Sequence, residues 1–116
     1  MTCDLHPPST RRTAQQREHL APEIASSFHA FSAVVFNKGA LDRATKQLIA
    51  VAVAHVTQCP YCIQGHTKAA LQSGATPEQI MEAIWVAAEM RAGAAYAHSA
   101  IALDVIAAGQ GGADGR

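Results

Sequence analysis

The stretch that most restricts the fold is Thr76-Pro77-Glu78-Gln79, which carries every signal of a helix start. Thr76 supplies the hydroxyl of an N-cap, Pro77 suits the first helical position, and Gln79 can reach back to the backbone of Thr76. Gly74, just before this stretch, is typical of a helix end. A chain that ends one helix and starts another so quickly is expected to fold as a set of packed helices.

Helix-period patterns fill the rest of the central region. A helix is expected from Pro22 to Asn37, with one apolar stripe formed by Ile24, Phe28, Phe31 and Val35. Asp42 is a good N-cap for a second helix that runs to about residues 56–57. Pro60 opens a third helix that continues to Gly74. Because no segment alternates convincingly between apolar and polar residues, the sequence predicts an all-α fold.

The helix that begins at Pro77 is expected to bend or stop at Gly93, because glycine is a poor helix former. A separate segment, residues 94–108, is apolar on most sides, which favours burial on several faces. Aromatic residues make up only 5% of the chain, so each helix face fills little volume. Both features favour a homo-oligomer. The organisation predicted is a flexible leader (1–18), one helical domain (19–108) and a disordered tail (109–116).

Charge and hydropathy argue against several partners. Nine basic and nine acidic residues give zero formal net charge, without a basic stripe for nucleic acid. Uncharged apolar runs such as Leu48–Ala54 are too short to span a bilayer, and the N-terminus lacks the apolar stretch of a secretory signal. We therefore expect a cytoplasmic protein that binds neither nucleic acid nor membrane.

Two of the three cysteines form the motif Cys59-Pro60-Tyr61-Cys62, followed by His66. In a reducing compartment a C-x-x-C motif indicates metal binding or redox chemistry rather than a structural disulfide. Cys3 lies in the polar leader and is expected to take no part.

On a helix that starts at Pro60, the side chains of Cys59, Cys62 and His66 share one face. The helix N-terminus stabilises a thiolate, and an imidazole nearby can accept the thiol proton. If the preceding helix pairs with this one as a tight antiparallel hairpin, His55 is expected near the cysteines and Gln47 near the level of His66.

Three interpretations of this cluster stay open on the residues alone. The first is a redox pair with a proton partner. The second is a metal site formed by Cys59, Cys62, His66 and His55, although the chain has no second C-x-x-C and no H-x-x-x-H. The third is a pair of buried, inert cysteines. Glu82 and Glu89 are possible further carboxylates, but each is better explained as a solvated or interface residue.

The segment LDRATKQLIAVAVAHVTQCPYCIQGHTKAALQSGATPEQIMEAI resembles the alkylhydroperoxidase D-like (AhpD-like) branch of the carboxymuconolactone decarboxylase superfamily. The resemblance extends from about residue 41 to residue 106. It implies an all-helical fold of about five to six helices around an antiparallel hairpin, and homo-oligomers that are trimers or hexamers.

The resemblance also implies roles for individual residues. It implies that Cys59 and Cys62 are a redox pair that reduces hydroperoxides, with His66 as the proton-relay histidine. By the same resemblance, a glutamate is expected at the position that Gln47 occupies in this sequence. Because an amide does not titrate near neutral pH, the expectation is a weakened relay in which His55, His66 or solvent moves the proton.

The expected function is that of an alkyl hydroperoxide reductase that needs no metal or other cofactor. Cys59 and Cys62 form a disulfide, which an external dithiol or lipoyl-type reductant reduces. The alternatives are a thiol–disulfide oxidoreductase or redox sensor without peroxide turnover, and a non-enzymatic metal-binding or assembly module. A lactone decarboxylase fits least, because that chemistry gives a C-x-x-C no obvious role.

Overall fold

The computed structural model describes residues 5–111 and consists of five α-helices, without a β-strand among these residues. In chain order the helices are α1 (Arg11–Leu20), α2 (Pro22–Phe36), α3 (Arg43–Thr57), α4 (Pro60–Gln72) and α5 (Pro77–Gly111). The predictions for Cys3 and for residues 112–116 lie outside the described part. The all-α prediction is confirmed.

The core forms where α3, α4 and the first turns of α5 meet. Val51, Ala70, Ala75 and Ile80 are buried there, and Leu48 and Ile84 pack against them. The turn between α3 and α4 is only two residues long, so these helices run antiparallel, as the hairpin prediction requires. Helices α1 and α2 form a second pair that touches the core mainly through α2 and α3.

Side-chain caps set the helix starts that the sequence indicates. The backbone N–H of Thr45 donates to Asp42 Oδ1 at 2.8 Å, which lowers the pKa of Asp42 below its ordinary value. At the start of α5, Thr76 and Gln79 exchange two hydrogen bonds of 2.9 and 3.1 Å, forming a capping box. Gly74 adopts φ +98°, a left-handed conformation that suits glycine.

Two expectations about the helices are wrong, one on the continuity of α5 and one on the N-terminal region. Helix α5 continues without a break through Gly93, because a single glycine costs only about 1 kcal/mol and strong helix formers flank it on both sides. Helix α1 lies within the N-terminal region where no helix is expected. It begins after Thr10, whose Oγ1 accepts a hydrogen bond from the N–H of Thr13 at 3.2 Å.

Candidate functional site

The turn between α3 and α4 places Cys59 at the start of α4. Gln58 adopts φ 56°, a left-handed conformation that is unusual for a residue with a side chain. The N–H groups of Gln58 and Cys59 both donate to the carbonyl of Ala54, the latter at 3.2 Å. Cys59 is therefore anchored to α3 while it serves as the N-cap of α4.

The two cysteines of the motif are half-buried free thiols whose pKa values shift in opposite directions. The backbone N–H of Cys62 donates to Cys59 Sγ at 3.3 Å. A hydrogen bond from the Cys62 thiol, together with this backbone N–H, lowers the pKa of Cys59 below its ordinary value. The same side-chain hydrogen bond, followed by burial and the negative charge of Cys59, raises the pKa of Cys62. Of the two thiols, Cys59 is therefore the one that ionises at the lower pH.

His66 is held by Gln47 across the hairpin. Nδ1 of His66 lies 2.8 Å from Oε1 of Gln47, and both side chains are half-buried. Because an amide oxygen only accepts hydrogen bonds, Nδ1 carries the proton in this contact. The other ring nitrogen, Nε2, is then an acceptor in the neutral imidazole. The structure thus joins two of the predicted site residues directly.

An aromatic ring that the sequence did not single out completes this arrangement. Phe36, the last residue of α2, stacks on the His66 ring with centroids 5.1 Å apart and planes at 29°. Phe36 lies outside the apolar stripe of α2, so helical spacing gave no signal for it. With Gln47 at its edge and Phe36 on its face, the imidazole has two neighbours that fix its orientation.

Lys46 secures the end of α2 that carries Phe36. Its ammonium Nζ donates to the carbonyls of Val35 at 2.8 Å and of Asn37 at 2.6 Å. A cation is favourable at a helix C-terminus, where the last carbonyls lack partners within the helix. Lys46 and Gln47 are neighbours on α3, so one short segment positions both the His66 imidazole and the Phe36 ring stacked on it.

A cavity of about 390 Å³, called the α3-side cavity below, opens beside the cysteines. Cys62 and His66 lie on its α4 wall. The other walls are mainly apolar side chains of α2 and α3, with Lys46 among them: Val35, Phe36, Ile49, Ala50, Val53, Ala54 and Thr57. Such a cavity suits the hydrocarbon part of a small organic molecule whose reactive group lies at Cys62.

A second cavity, of about 500 Å³, lies between α2 and α4 and is called the α4-side cavity. It shares Phe36, Cys62 and His66 with the first, so the two cavities meet at these three residues. The walls that it does not share carry more polar groups: Ser32, Ala33, Gln47, Tyr61, Gly65 and Ala69. Cys62 is thus reached from two sides.

Other predicted residues lie apart from these two cavities. Nδ1 of His55 is 2.7 Å from the carbonyl of Val51 on its own helix, and His55 lines neither cavity. Glu82 and Glu89, on α5, line neither of them. Within residues 5–111, no group of three or more His, Cys, Asp or Glu side chains is arranged to hold a metal ion. The four donors of the metal interpretation therefore do not come together.

The sequence matches the profile of the Carboxymuconolactone decarboxylase family over residues 22–105, which include α2 to α4 and most of α5. The chain belongs to this family. Its AhpD-like character is supported by a match of 33% identity over 57 residues to a protein named alkyl hydroperoxide reductase AhpD from Corynebacterium kroppenstedtii. That match includes 49% of this chain and 33% of the relative.

Longer matches extend over almost the whole chain. The chain is 60% identical over 103 residues to "Uncharacterized protein 4 in cox locus" of Paracoccus denitrificans, a match that covers 89% of this chain and 93% of that protein.

Solved structures agree with the assignment of the fold. A carboxymuconolactone decarboxylase family protein from Legionella pneumophila is 33% identical with a TM-score of 0.65, covering 68% of this chain and 70% of that one. A protein from Methanobacterium thermoautotrophicum is 36% identical with a TM-score of 0.68, covering 72% and 93%. The AhpD-like helical fold is therefore shared with family members of known structure.

Proposed function

We propose that this AhpD-like protein is a peroxidase that reduces organic hydroperoxides through Cys59 and Cys62. The observation that carries the proposal is the position of Cys62. Its thiol shares the wall of an apolar cavity with His66, while Cys59 Sγ lies one helical turn away. A hydroperoxide bound there meets a thiol, a base and a second sulfur, which is what a two-cysteine reduction requires.

The first step uses the proton acceptor that Gln47 orients. Nε2 of His66 takes the proton of Cys62, and the thiolate attacks the terminal oxygen of the hydroperoxide. The O–O bond breaks, Cys62 becomes a sulfenic acid, and the alkoxide leaves with the proton from His66 as an alcohol. The base is needed because the pKa of Cys62 is raised, first by its hydrogen bond to Cys59.

The second step uses Cys59, the cysteine with the lowered pKa. The Cys59 thiolate attacks Sγ of the Cys62 sulfenic acid, the S–O bond breaks, and hydroxide leaves and is protonated to water. The products are the Cys59–Cys62 disulfide, one alcohol and one water. An external dithiol then returns the pair to the reduced state. The two cysteines thus have different roles, and their opposite pKa shifts suit those roles.

Consumption of cumene hydroperoxide with dithiothreitol as reductant tests this proposal. We expect turnover by the wild type, none above the reagent background by Cys59→Ser or Cys62→Ser, and unchanged turnover by the matched control Cys3→Ser. With a sulfenic acid trap, Cys59→Ser is expected to form an adduct and Cys62→Ser none. An adduct on Cys62→Ser alone would show that Cys59 attacks, and an inactive wild type would refute the peroxidase.

The second candidate function is a thiol–disulfide oxidoreductase or redox sensor. The observation that favours it is the lowered pKa of Cys59 at a helix N-terminus, since a low-pKa first cysteine can itself attack a disulfide. This candidate requires a reversible Cys59–Cys62 disulfide without catalysed loss of hydroperoxide. The same assay, with protein disulfide content measured beside peroxide, separates the two functions.

The remaining parts of the proposal concern partners and location. The exposed apolar side chains of α2 and α5 support a homo-oligomer. Its proposed size, a trimer or a hexamer, follows from the family resemblance. The reductant proposed is an external dithiol, either free or of the lipoyl type. A cytoplasmic location, where thiols are kept reduced, suits this chemistry and stays a prediction.

A further inference from the structure

Two cavities open on the same sulfur, Cys62 Sγ. In a reaction with two substrates, each cavity can hold one of them. Phe36, Cys62 and His66 are the residues that the α3-side and α4-side cavities share. Each cavity also has its own walls, apolar on the α3 side and carrying Ser32, Gln47 and Tyr61 on the α4 side. A ligand in one cavity therefore leaves room for a different ligand in the other.

We propose that the α4-side cavity is the binding site of the reductant, a small uncharged dithiol that attacks Sγ of Cys62. This inference rests on the proposed function and assigns its two substrates to opposite sides of the Phe36–His66 stack. The hydroperoxide uses the α3-side cavity, and the dithiol uses the cavity that Gly65 leaves open.

The composition of the α4-side cavity suits such a ligand. Its lining residues include hydroxyl and amide groups but neither Lys, Arg, Asp nor Glu. Tyr61, Gly65 and Ala69 follow one another at intervals of one helical turn on the wall formed by α4. A Cβ atom added at Gly65 would meet nothing within 4 Å, so the approach across this residue is open.

The unequal cysteines favour attack on Cys62 rather than on Cys59. In thiol–disulfide exchange the thiol with the lower pKa is the better leaving group. The backbone N–H of Cys62, which donates to Cys59 Sγ at 3.3 Å, remains in place when Cys62 is disulfide-bonded and stabilises a thiolate on Cys59, so Cys59 is that leaving group. Attack on Cys62 therefore releases the more stable thiolate, and Cys62 is the cysteine that lines the α4-side cavity.

The proposed reduction balances. One thiolate of the dithiol attacks Cys62, the S–S bond to Cys59 breaks, and Cys59 leaves as a thiolate. The second thiol gives its proton to His66 and attacks the reductant's own sulfur in the mixed disulfide. The bond to Cys62 breaks, the reductant leaves as a cyclic disulfide, and Cys62 takes the proton back from His66. The dithiol is oxidised by two electrons and the cysteine pair is reduced by two.

Separate measurement of the two half-reactions tests the assignment. Protein oxidised with diamide is mixed with dithiothreitol or dihydrolipoamide, quenched in acid, alkylated and analysed by mass spectrometry for the Cys59–Cys62 disulfide. Reduced protein is mixed with cumene hydroperoxide and followed in the same way. The first measurement does not depend on peroxide chemistry, so failure of the peroxidase proposal and failure of this one are distinguishable.

Gly65→Leu fills the α4-side cavity and Ala50→Leu fills the α3-side cavity. We expect Gly65→Leu to slow reduction by the dithiol about tenfold and to leave the rate of oxidation by hydroperoxide within about twofold of wild type. We expect Ala50→Leu to slow oxidation by hydroperoxide about tenfold and to leave the rate of reduction by the dithiol within about twofold. Gly65→Ala, a smaller addition on the same helix, is expected to lie between wild type and Gly65→Leu. Gln72→Leu is the matched control, because Gln72 is an exposed residue of the same helix that lines neither cavity.

The two dithiols identify the form of the ligand. If Gly65→Leu is reduced more slowly than wild type by both dithiols, the cavity binds the dithiol group itself. Slower reduction by dihydrolipoamide alone supports a site that also holds a longer lipoyl-type chain. Reduction of both Gly65 variants at the wild-type rate would overturn the proposal, and so would an equal loss of both half-reactions in Gly65→Leu with an unchanged circular dichroism spectrum.

Discussion

At the scale of single residues, the contact between Gln47 and His66 determines how a proton can move. The amide oxygen of Gln47 holds Nδ1 of His66 at 2.8 Å but has no proton to exchange near neutral pH. A carboxylate at the same position would orient the ring and also stabilise its protonated form. The site as it stands thus contains an oriented base without an acid behind it.

The variant Gln47→Glu is expected to raise the rate of hydroperoxide consumption, by about tenfold, because the added carboxylate shares the proton that His66 accepts. Gln47→Leu, which keeps the volume but not the hydrogen bond, is expected to lower the rate. Steady-state turnover measured from pH 5 to pH 9 checks both variants. No gain with glutamate would count against His66 as the base whose protonation limits the rate.

The opposite pKa shifts of the two cysteines predict an order of alkylation. Thiolates react with iodoacetamide and thiols do not, so the rate at each site follows its ionised fraction. Because hydrogen bonds lower the pKa of Cys59 while that of Cys62 is raised, Cys59 is expected to reach half of its maximal rate at the lower pH. Tandem mass spectrometry of the peptide that contains both cysteines measures the two rates separately. Earlier reaction of Cys62 would show that Cys62, and not Cys59, ionises at the lower pH.

Part of this site could be predicted from the sequence because it depends on local spacing. The rest depends on how the helices pack and could not be predicted. The C-x-x-C spacing and a helix start at Pro60 are local, so they place Cys59, Cys62 and His66 on one face without knowledge of the fold. The contact between Gln47 and His66 follows once two helices form a hairpin. Phe36 could not be found in this way, since its stack on His66 depends on how α2 lies against α3 and α4.

At the scale of helices, α5 shows that the low helix propensity of one residue, Gly93, is outweighed by the residues that flank it. Gly93 lies inside a helix of 35 residues that the sequence predicts as two segments. The stretch around it is rich in alanine, which supplies the propensity that glycine lacks. Capping signals were more dependable, because Asp42 and Thr76 form bonds within their own first turn. Thr10 caps α1 in the same way, a signal that the polar composition of the N-terminal region obscured.

Replacement by alanine is expected to change the free energy of unfolding in opposite directions at Gly93, within α5, and at Gly74, which precedes it. Gly93→Ala should stabilise the protein by about 0.5–1 kcal/mol, since a Cβ at this position would meet its nearest atom, Glu89 Oε1, at an ordinary 3.6 Å. Gly74→Ala should destabilise it by about 1 kcal/mol, because φ +98° is strained for alanine. Urea unfolding at one fixed protein concentration measures both. A loss of stability in Gly93→Ala would mean that α5 is not continuous in solution.

At the scale of the whole molecule, the isolated chain is too extended for its size. Its radius of gyration is 20.5 Å, against about 13 Å for a compact chain of this length. Its accessible surface is 9232 Å², against about 6,100 Å² for a compact monomer of 12.2 kDa. An excess of about 3,000 Å² is of the size that stable subunit interfaces bury.

Large exposed apolar side chains lie on α2, for example Ile24 and Val34, and along α5. Tyr96 is 82% exposed and Val105 is 67% exposed there, and Ile101, Leu103 and Ile106 are also exposed. By length and composition alone, α5 is also long and apolar enough to cross a membrane. Ionised groups such as Glu89, Arg91 and Asp104 lie along it, and each costs several kcal/mol inside a bilayer. We therefore propose that a second copy of the chain covers this surface.

Association through α5 predicts a specific response to one charge. Leu103→Asp places a carboxylate on the exposed face of α5, where burial against another copy would cost several kcal/mol, whereas Leu103→Met keeps that face apolar. We expect light scattering after size exclusion to give three or six times the chain mass for wild type and Leu103→Met, and a smaller species for Leu103→Asp. Because the C-x-x-C site is formed by α2, α3 and α4, the separated chains should keep the contact between Gln47 and His66. A wild-type protein that runs as a monomer, or that floats with phospholipid vesicles, would show that α5 serves a different partner.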